Sequence, residues 1–241
     1  MSSTCIVIPF YNETVRFDEL AFKSFLDKGL NIHFLLVNDG STDQTGDLIS
    51  RLAKQNKDFV TDLQLTKNQG KAEAVRLGVL KAIQLEFENI GFWDADFSAP
   101  LLEINNLLSA LKAPANFILG SRVKRMGASI KRDAKRHYLG RVFSTISSKI
   151  VKLPVYDSQC GAKLFSNGIA AIIFRDAFIT KWLFDVELLM RYRNHYGKQL
   201  ALSHILEVPL NNWFEVGGSK LKISDFLKVP LELYQINKTY N

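Results

Sequence analysis

Ile32-His-Phe-Leu-Leu-Val-Asn-Asp-Gly-Ser-Thr-Asp43 decides the reading of the fold, because an apolar run long enough for one buried strand breaks there into a polar turn. Gly40 supplies a positive φ for the turn, and Thr42 or Asp43 caps a helix carrying Leu48, Ile49 and Leu52. The pattern recurs on both sides. Cys5-Ile-Val-Ile-Pro-Phe10 reads as a buried strand ending at Pro9, and Phe17, Leu20, Phe25 and Leu26 place a helix over 14–29, closed by Gly29. Strands are expected at 59–65, 90–93 and 117–119, with a helix over 70–86. Such alternation predicts an α/β fold with a mainly parallel central sheet flanked by helices. Further on, helices are expected at 133–152, 183–197 and 223–236, and strands at 160–165 and 200–208.

Composition sets the outer limits. With 241 residues, 47% of them hydrophobic and 23% charged, the chain is long enough for one large core. No linker interrupts it, so 1–241 is read as one domain. The net charge of +7 is local: Arg122 to Lys152 holds ten Lys or Arg against the single acid Asp133. That excess suits an anionic partner, but no recognition motif for nucleic acid accompanies it, and nucleic acid is excluded. Cys5 and Cys160 read as buried free thiols in a reducing compartment. Without a signal peptide or an apolar run of about 18–20 residues, the expectation is a cytoplasmic protein that does not cross a membrane.

The polar signatures fall at the strand ends: Asn12-Glu13, Asn38-Asp39-Gly40, Asn68-Gln69-Gly70-Lys71 and Asp94-Ala95-Asp96. Ligands of open α/β sheets bind there. On an extended strand end, residues i and i+2 point the same way, so Asp94 and Asp96 are expected to face one hard divalent cation shared with substrate phosphates. The plain alternative is a pair of solvated loop acids. Asp39 is left over for a nucleobase or ribose once the cap has formed.

In order and spacing, Ile8-Pro-Phe-Tyr-Asn-Glu13, Val37-Asn-Asp-Gly-Ser-Thr-Asp43, Asn68-Gln-Gly-Lys-Ala72 and Asp94-Ala-Asp96 resemble the successive signatures of family 2 glycosyltransferases. The resemblance implies a GT-A (Rossmann-like) fold and a nucleotide-sugar donor. It places the donor on Pro9, Tyr11, Asn12, Glu13, Asp39, Gly70 and Lys71, and Mg²⁺ or Mn²⁺ on Asp94 and Asp96, flanking Ala95. Residues 1–120 would then bind the donor and 121–241 would build the acceptor side. Gly120-Ser-Arg122, Asp157-Ser-Gln-Cys-Gly-Ala-Lys-Leu-Phe165, Trp182-Leu-Phe-Asp-Val-Glu-Leu-Leu189 and Trp213-Phe-Glu-Val-Gly-Gly-Ser-Lys220 look like the dolichyl-phosphate glucosyltransferase and mannosyltransferase branch, the glucosyl type most of all. Members of that branch often carry a membrane-spanning segment, and Ala162 stands where a larger aromatic is common.

The basic stretch fits that branch physically. Lys131, Arg132, Lys135, Arg136 and Arg141 interleave with Tyr138, Leu139, Val142, Phe143 and Ile146, a pattern suited either to a membrane interface or to a packed helix with a solvated basic face. Lys71, Arg122 and Lys220 are candidates to add charge at the diphosphate, the alternative being helix-face or surface cations. An ionised polyprenyl phosphate needs positioning rather than deprotonation. A hydroxyl of a saccharide, lipid or protein needs a base, for which Asp185 and Glu187 are the candidates. Asp157 is expected either to orient Lys163 or a phosphate-binding loop, or to serve a structural turn. By resemblance the anomeric centre inverts in one displacement. Oligomeric state is left open.

Overall fold

The computed structural model describes residues 3–217 and 223–241. Strand β1, Thr4–Phe10, lies at the middle of a sheet and is buried along its length apart from Pro9. Helix α1, Glu19–Leu26, starts later than the apolar spacing suggested, because Asp18 accepts the Ala21 N–H at 2.9 Å and fixes the first turn there. The chain continues through β2 (Ile32–Asp39), α2 (Thr45–Gln55), β3 (Val60–Leu65), α3 (Lys71–Gln84) and β4 (Asn89–Trp93). The N-cap of α2 is Gln44 rather than Thr42 or Asp43 and makes no side-chain cap bond; Asp43, one residue earlier, accepts the Thr45 N–H at 3.0 Å in the turn that leads into the helix.

After α4 (Glu103–Ala110) and β5 (Phe117–Ser121), a short β6 (Ser129–Lys131) leads into the long basic helix α5 (Ala134–Val151). Then come β7 (Ala162–Ser166), α6 (Asn167–Ile173), α7 (Phe184–Tyr196), α8 (Lys198–His204), β8 (Ile205–Pro209), β9 (Asn212–Phe214) and α9 (Ile223–Tyr240). The strand expected over 200–208 is half helix. Leu200 and Leu202 are both more than 40% exposed while Ala201 is buried, so the short apolar run closes one helical turn after Gly197 before β8 begins. Helices α4 and α6 were not expected.

The seven-stranded sheet runs β3-β2-β1-β4-β7-β5-β8. Its pairs are parallel except those made by β7, which runs antiparallel to both β4 and β5. A mainly parallel sheet flanked by helices is therefore what the alternation required. Successive residues feed opposite faces: Cys5 and Val7 pack with α3, α6 and α7, whereas Ile6 and Ile8 pack with α1, α2 and α4. Strands β6 and β9 form a separate parallel pair. Among the described residues no helix is long and apolar enough to cross a membrane. Both cysteines are free and buried, and burial pushes each thiol up to about 12.

Candidate active site

A cavity of about 1690 Å³ opens beyond the carboxyl ends of β1, β2 and β4. Its floor is made by turns that pin one another. Asn12, held at φ +51°, accepts the Thr42 N–H at 2.8 Å through its side chain, and its own N–H donates to Ser41 Oγ. Gly40 takes the expected positive φ (+60°), and a Cβ there would collide with the backbone of Lys67 and Asn68. Asp39 is not left over, as the sequence suggested. Its two oxygens accept the backbone N–H groups of Gln69 and Gly70 at 2.7 and 2.8 Å, tying the start of α3 to β2. Burial pushes this carboxyl up, and those two donors partly offset the shift.

Strand β4 ends at Trp93, so Asp94 and Asp96 stand in a turn rather than on an extended strand. The geometric argument for parallel carboxylates therefore does not apply as made, yet both line the cavity with Ala95. Each meets a different cation: Lys71 Nζ lies 2.5 Å from Asp94, and Arg16 Nη2 lies 2.9 Å from Asp96. Arg16 also reaches Glu13 at 3.4 Å, and sequence reading missed it, although the spacing of three from Glu13 was a usable signal. Burial alone would lower the Lys71 ammonium, but Asp94 and Asp185 outweigh it and raise it. The Asp94 carboxylate fills the space where a Cβ of Gly161 would stand. Two hard oxygen donors in such a glycine cradle fit a divalent ion that also takes phosphate oxygens. Among the described residues no cluster of three or more His, Cys, Asp or Glu forms a closed metal cage. Gly161→Ala should move Asp94 and lower kcat/KM by roughly 10²-fold, the sensitivity of catalysis to misplacements of about 1 Å; steady-state kinetics check this.

In the second half of the chain Asp157 accepts two bonds of 2.7 Å from Arg122, and the Tyr156 and Asp157 N–H groups donate to Glu207 at 2.8 and 2.6 Å. The expectation that Asp157 orients Lys163 is corrected: Lys163 pairs with Asp185 at 2.6 Å instead. Arg132 lines the same cavity, and its guanidinium is pushed down by burial and then by Arg122. Two cations held near one another face an anion better than they face each other.

The two acids on α7 separate. Asp185 lines the cavity, whereas Glu187 is fully buried and absent from its lining. Glu187 accepts the Ile179 and Thr180 N–H groups, the Thr180 hydroxyl and the Tyr240 hydroxyl, so its oxygens are committed to holding that loop and α9. It is therefore removed as a candidate base. Pro9, Tyr11, Asn12, Glu13, Gly70 and Arg122 all line the cavity. Lys220 and the side chains of Lys135, Arg136 and Leu139 lie outside the described residues. One arm of the cavity is apolar, built from Val142, Phe143 and Ile146 of α5 and Val229, Pro230 and Leu233 of α9.

Comparison with known proteins agrees with this layout. The sequence model described as Glycosyl transferase family 2 matches residues 5–180. A dolichyl-phosphate beta-glucosyltransferase of Trichomonas vaginalis is 30% identical over 97% of this chain and 70% of its own length. The human protein of that description is 31% identical, over 90% of this chain and 68% of its own length. Among solved structures, glucosyl-3-phosphoglycerate synthase from Mycobacterium tuberculosis, in complex with Mn²⁺, uridine diphosphate and glucosyl-3-phosphoglycerate, superposes with a TM-score of 0.67 at 14% identity. That match covers 99% of this chain and 80% of the other. The fold is thus the GT-A fold.

Proposed function

The chain belongs to glycosyl transferase family 2, and we propose that it moves a hexose, glucose from UDP-glucose first among the donors, onto the phosphate of a polyprenyl phosphate. One observation carries this reading: a single cavity joins the carboxylate turn and Lys71 to the Arg122–Arg132 pair and to an apolar arm between α5 and α9. A nucleotide sugar uses the first, a lipid phosphate the second, and the first isoprene units the third. The names of the relatives support the same assignment. Residues 1–120 then bind the donor and 121–241 build the acceptor side.

The lipid phosphate is ionised at neutral pH, so its attack needs no protein base. Arg122, held rigid by Asp157, and Arg132 bring that anion to the sugar and offset its charge. Lys71 stands on the opposite task, beside Asp94, where the departing diphosphate gathers charge. Asp94 and Asp96 would hold Mg²⁺ or Mn²⁺, which would supply positive charge to the diphosphate. Asp39, Asn12 and Gly70 keep the floor in shape for the nucleoside. In-line attack inverts the anomeric centre. Exposed Tyr138, Val142, Ile146, Leu231 and Tyr234 on α5 and α9 set the mouth of the apolar arm against the cytoplasmic face of a membrane.

The test is release of nucleoside diphosphate from a panel of nucleotide sugars with Mg²⁺ or Mn²⁺, with and without a short polyprenyl phosphate. Lipid-stimulated, metal-dependent release from UDP-glucose is the expected result. Tight donor binding with no stimulation by lipid would sink the proposal and move the acceptor to a hydroxyl, for which Asp185 is the acid in reach of the cavity.

A further inference from the structure

A lysine sits where the sheet has no use for one. Lys163 is the second residue of β7, paired in register with Phe92 on one side and Leu119 on the other, and it is fully buried. Its ammonium donates to Cys160 O at 2.6 Å, lies 2.6 Å from Asp185 Oδ1, and stands 5.2 Å above the Phe92 ring. An apolar residue would fill this place without the desolvation of an ion, so a buried pair here is weak evidence of a stabilising role. What the pair does is fix one carboxylate at the cavity wall. Asp185 occupies the first turn of α7, where the helix dipole also favours its charge.

Asp185 lines the same cavity as Lys71, whose ammonium pairs with Asp94 at 2.5 Å. Lys71 Nζ also lies 5.9 Å from the centre of the Phe184 ring, the residue before Asp185 at the start of α7. The charges therefore alternate from the sheet interior to the metal turn: Lys163, Asp185, Lys71, Asp94. Without Lys163, Asp185 loses the cation that meets it from the sheet at 2.6 Å.

We infer that Lys163 is a positioning residue for donor binding: it anchors Asp185 from behind, and Asp185 in turn keeps Lys71 aimed at the diphosphate. This rests on the reading of the cavity as a nucleotide-sugar site. No contact between Lys163 and any ligand is required.

The test is a cycle of Lys163→Met and Lys71→Met, alone and together, titrated calorimetrically with UDP or GDP in the presence of Mn²⁺. Lys163→Met should weaken nucleotide binding by about 10-fold in the wild-type background and leave it unchanged where Lys71 is already Met, the non-additivity of residues acting as one unit. Should Lys163→Met not fold, the double Lys163→Met/Asp185→Leu removes both buried charges and enters the same cycle, with the same dependence on Lys71. Losses that multiply independently of Lys71 overturn the inference, because a purely structural lysine has no reason to act through that ammonium. A wild type that binds neither nucleotide overturns the site reading and this inference together.

Discussion

Asp94→Asn should cut turnover by roughly 10²–10³-fold, the range for losing one preorganised electrostatic contact at a developing charge, while leaving the melting temperature almost unmoved. The two halves of this expectation come from the same geometry. Asp94 and Lys71 are each more than a third exposed along their side chains, and a pair of that kind contributes only about 0–1 kcal/mol to stability. Its contribution to chemistry is of another order. In the proposed site Asp94 supplies one of the two hard oxygens of the turn and holds Lys71 toward the diphosphate, and asparagine keeps the shape while losing the charge. The Gly161 cradle accepts the amide as readily as the acid, so the backbone has no cause to shift. Donor-dependent release of nucleoside diphosphate, measured beside thermal unfolding, checks both. Turnover within threefold of the parent would take the site away from this turn.

The first half of this architecture was legible because its signals are local. Each apolar run from Cys5 to Trp93 is short and ends in polar residues, and the floor of the cavity is assembled from those ends. Asp39 shows the limit of such reading. That a carboxylate belongs at the end of β2 could be read, but not that two backbone donors thirty residues away would take it. On α7 the two acids are two residues apart, a spacing that turns them to different sides of a helix. Only contacts distinguish Asp185, at the cavity, from Glu187, closed in by Thr180 and Tyr240. Lys163 was one of the partners expected for Asp157. The antiparallel register of β7 decides otherwise, and no local pattern announces an antiparallel strand between parallel ones. The apolar arm needed α5 and α9 to meet, a contact of long sequence separation.

Asp157→Asn carries the largest expected effect on stability. The carboxylate is 5% exposed and makes two 2.7 Å bonds to Arg122, so the variant leaves a buried guanidinium without its counter-charge. Breaking a buried pair from one side costs about 3–5 kcal/mol, which for a chain of this size lowers the melting temperature by about 10 °C. The pH dependence follows from the same pair. Burial alone would raise the Asp157 carboxyl, but the charge and hydrogen bonds of Arg122 outweigh it and bring it from 3.8 down to about 2. A folded-state value depressed in this way gives stability that is fully present above about pH 4 and is lost as pH falls through about 2. The amount is about 2 kcal/mol. The parent should therefore lose that increment between those pH values, and the asparagine variant should show no such step. Replacing both residues, as Arg122→Met/Asp157→Leu, removes the buried charge altogether and should recover most of the melting temperature. It should recover none of the lipid-stimulated turnover, since the cation proposed to meet the acceptor phosphate is then gone. Thermal unfolding of the three proteins from pH 2 to 7 decides the matter: if Asp157→Asn melts within 2 °C of the parent at pH 7, the pair does not hold the acceptor side together.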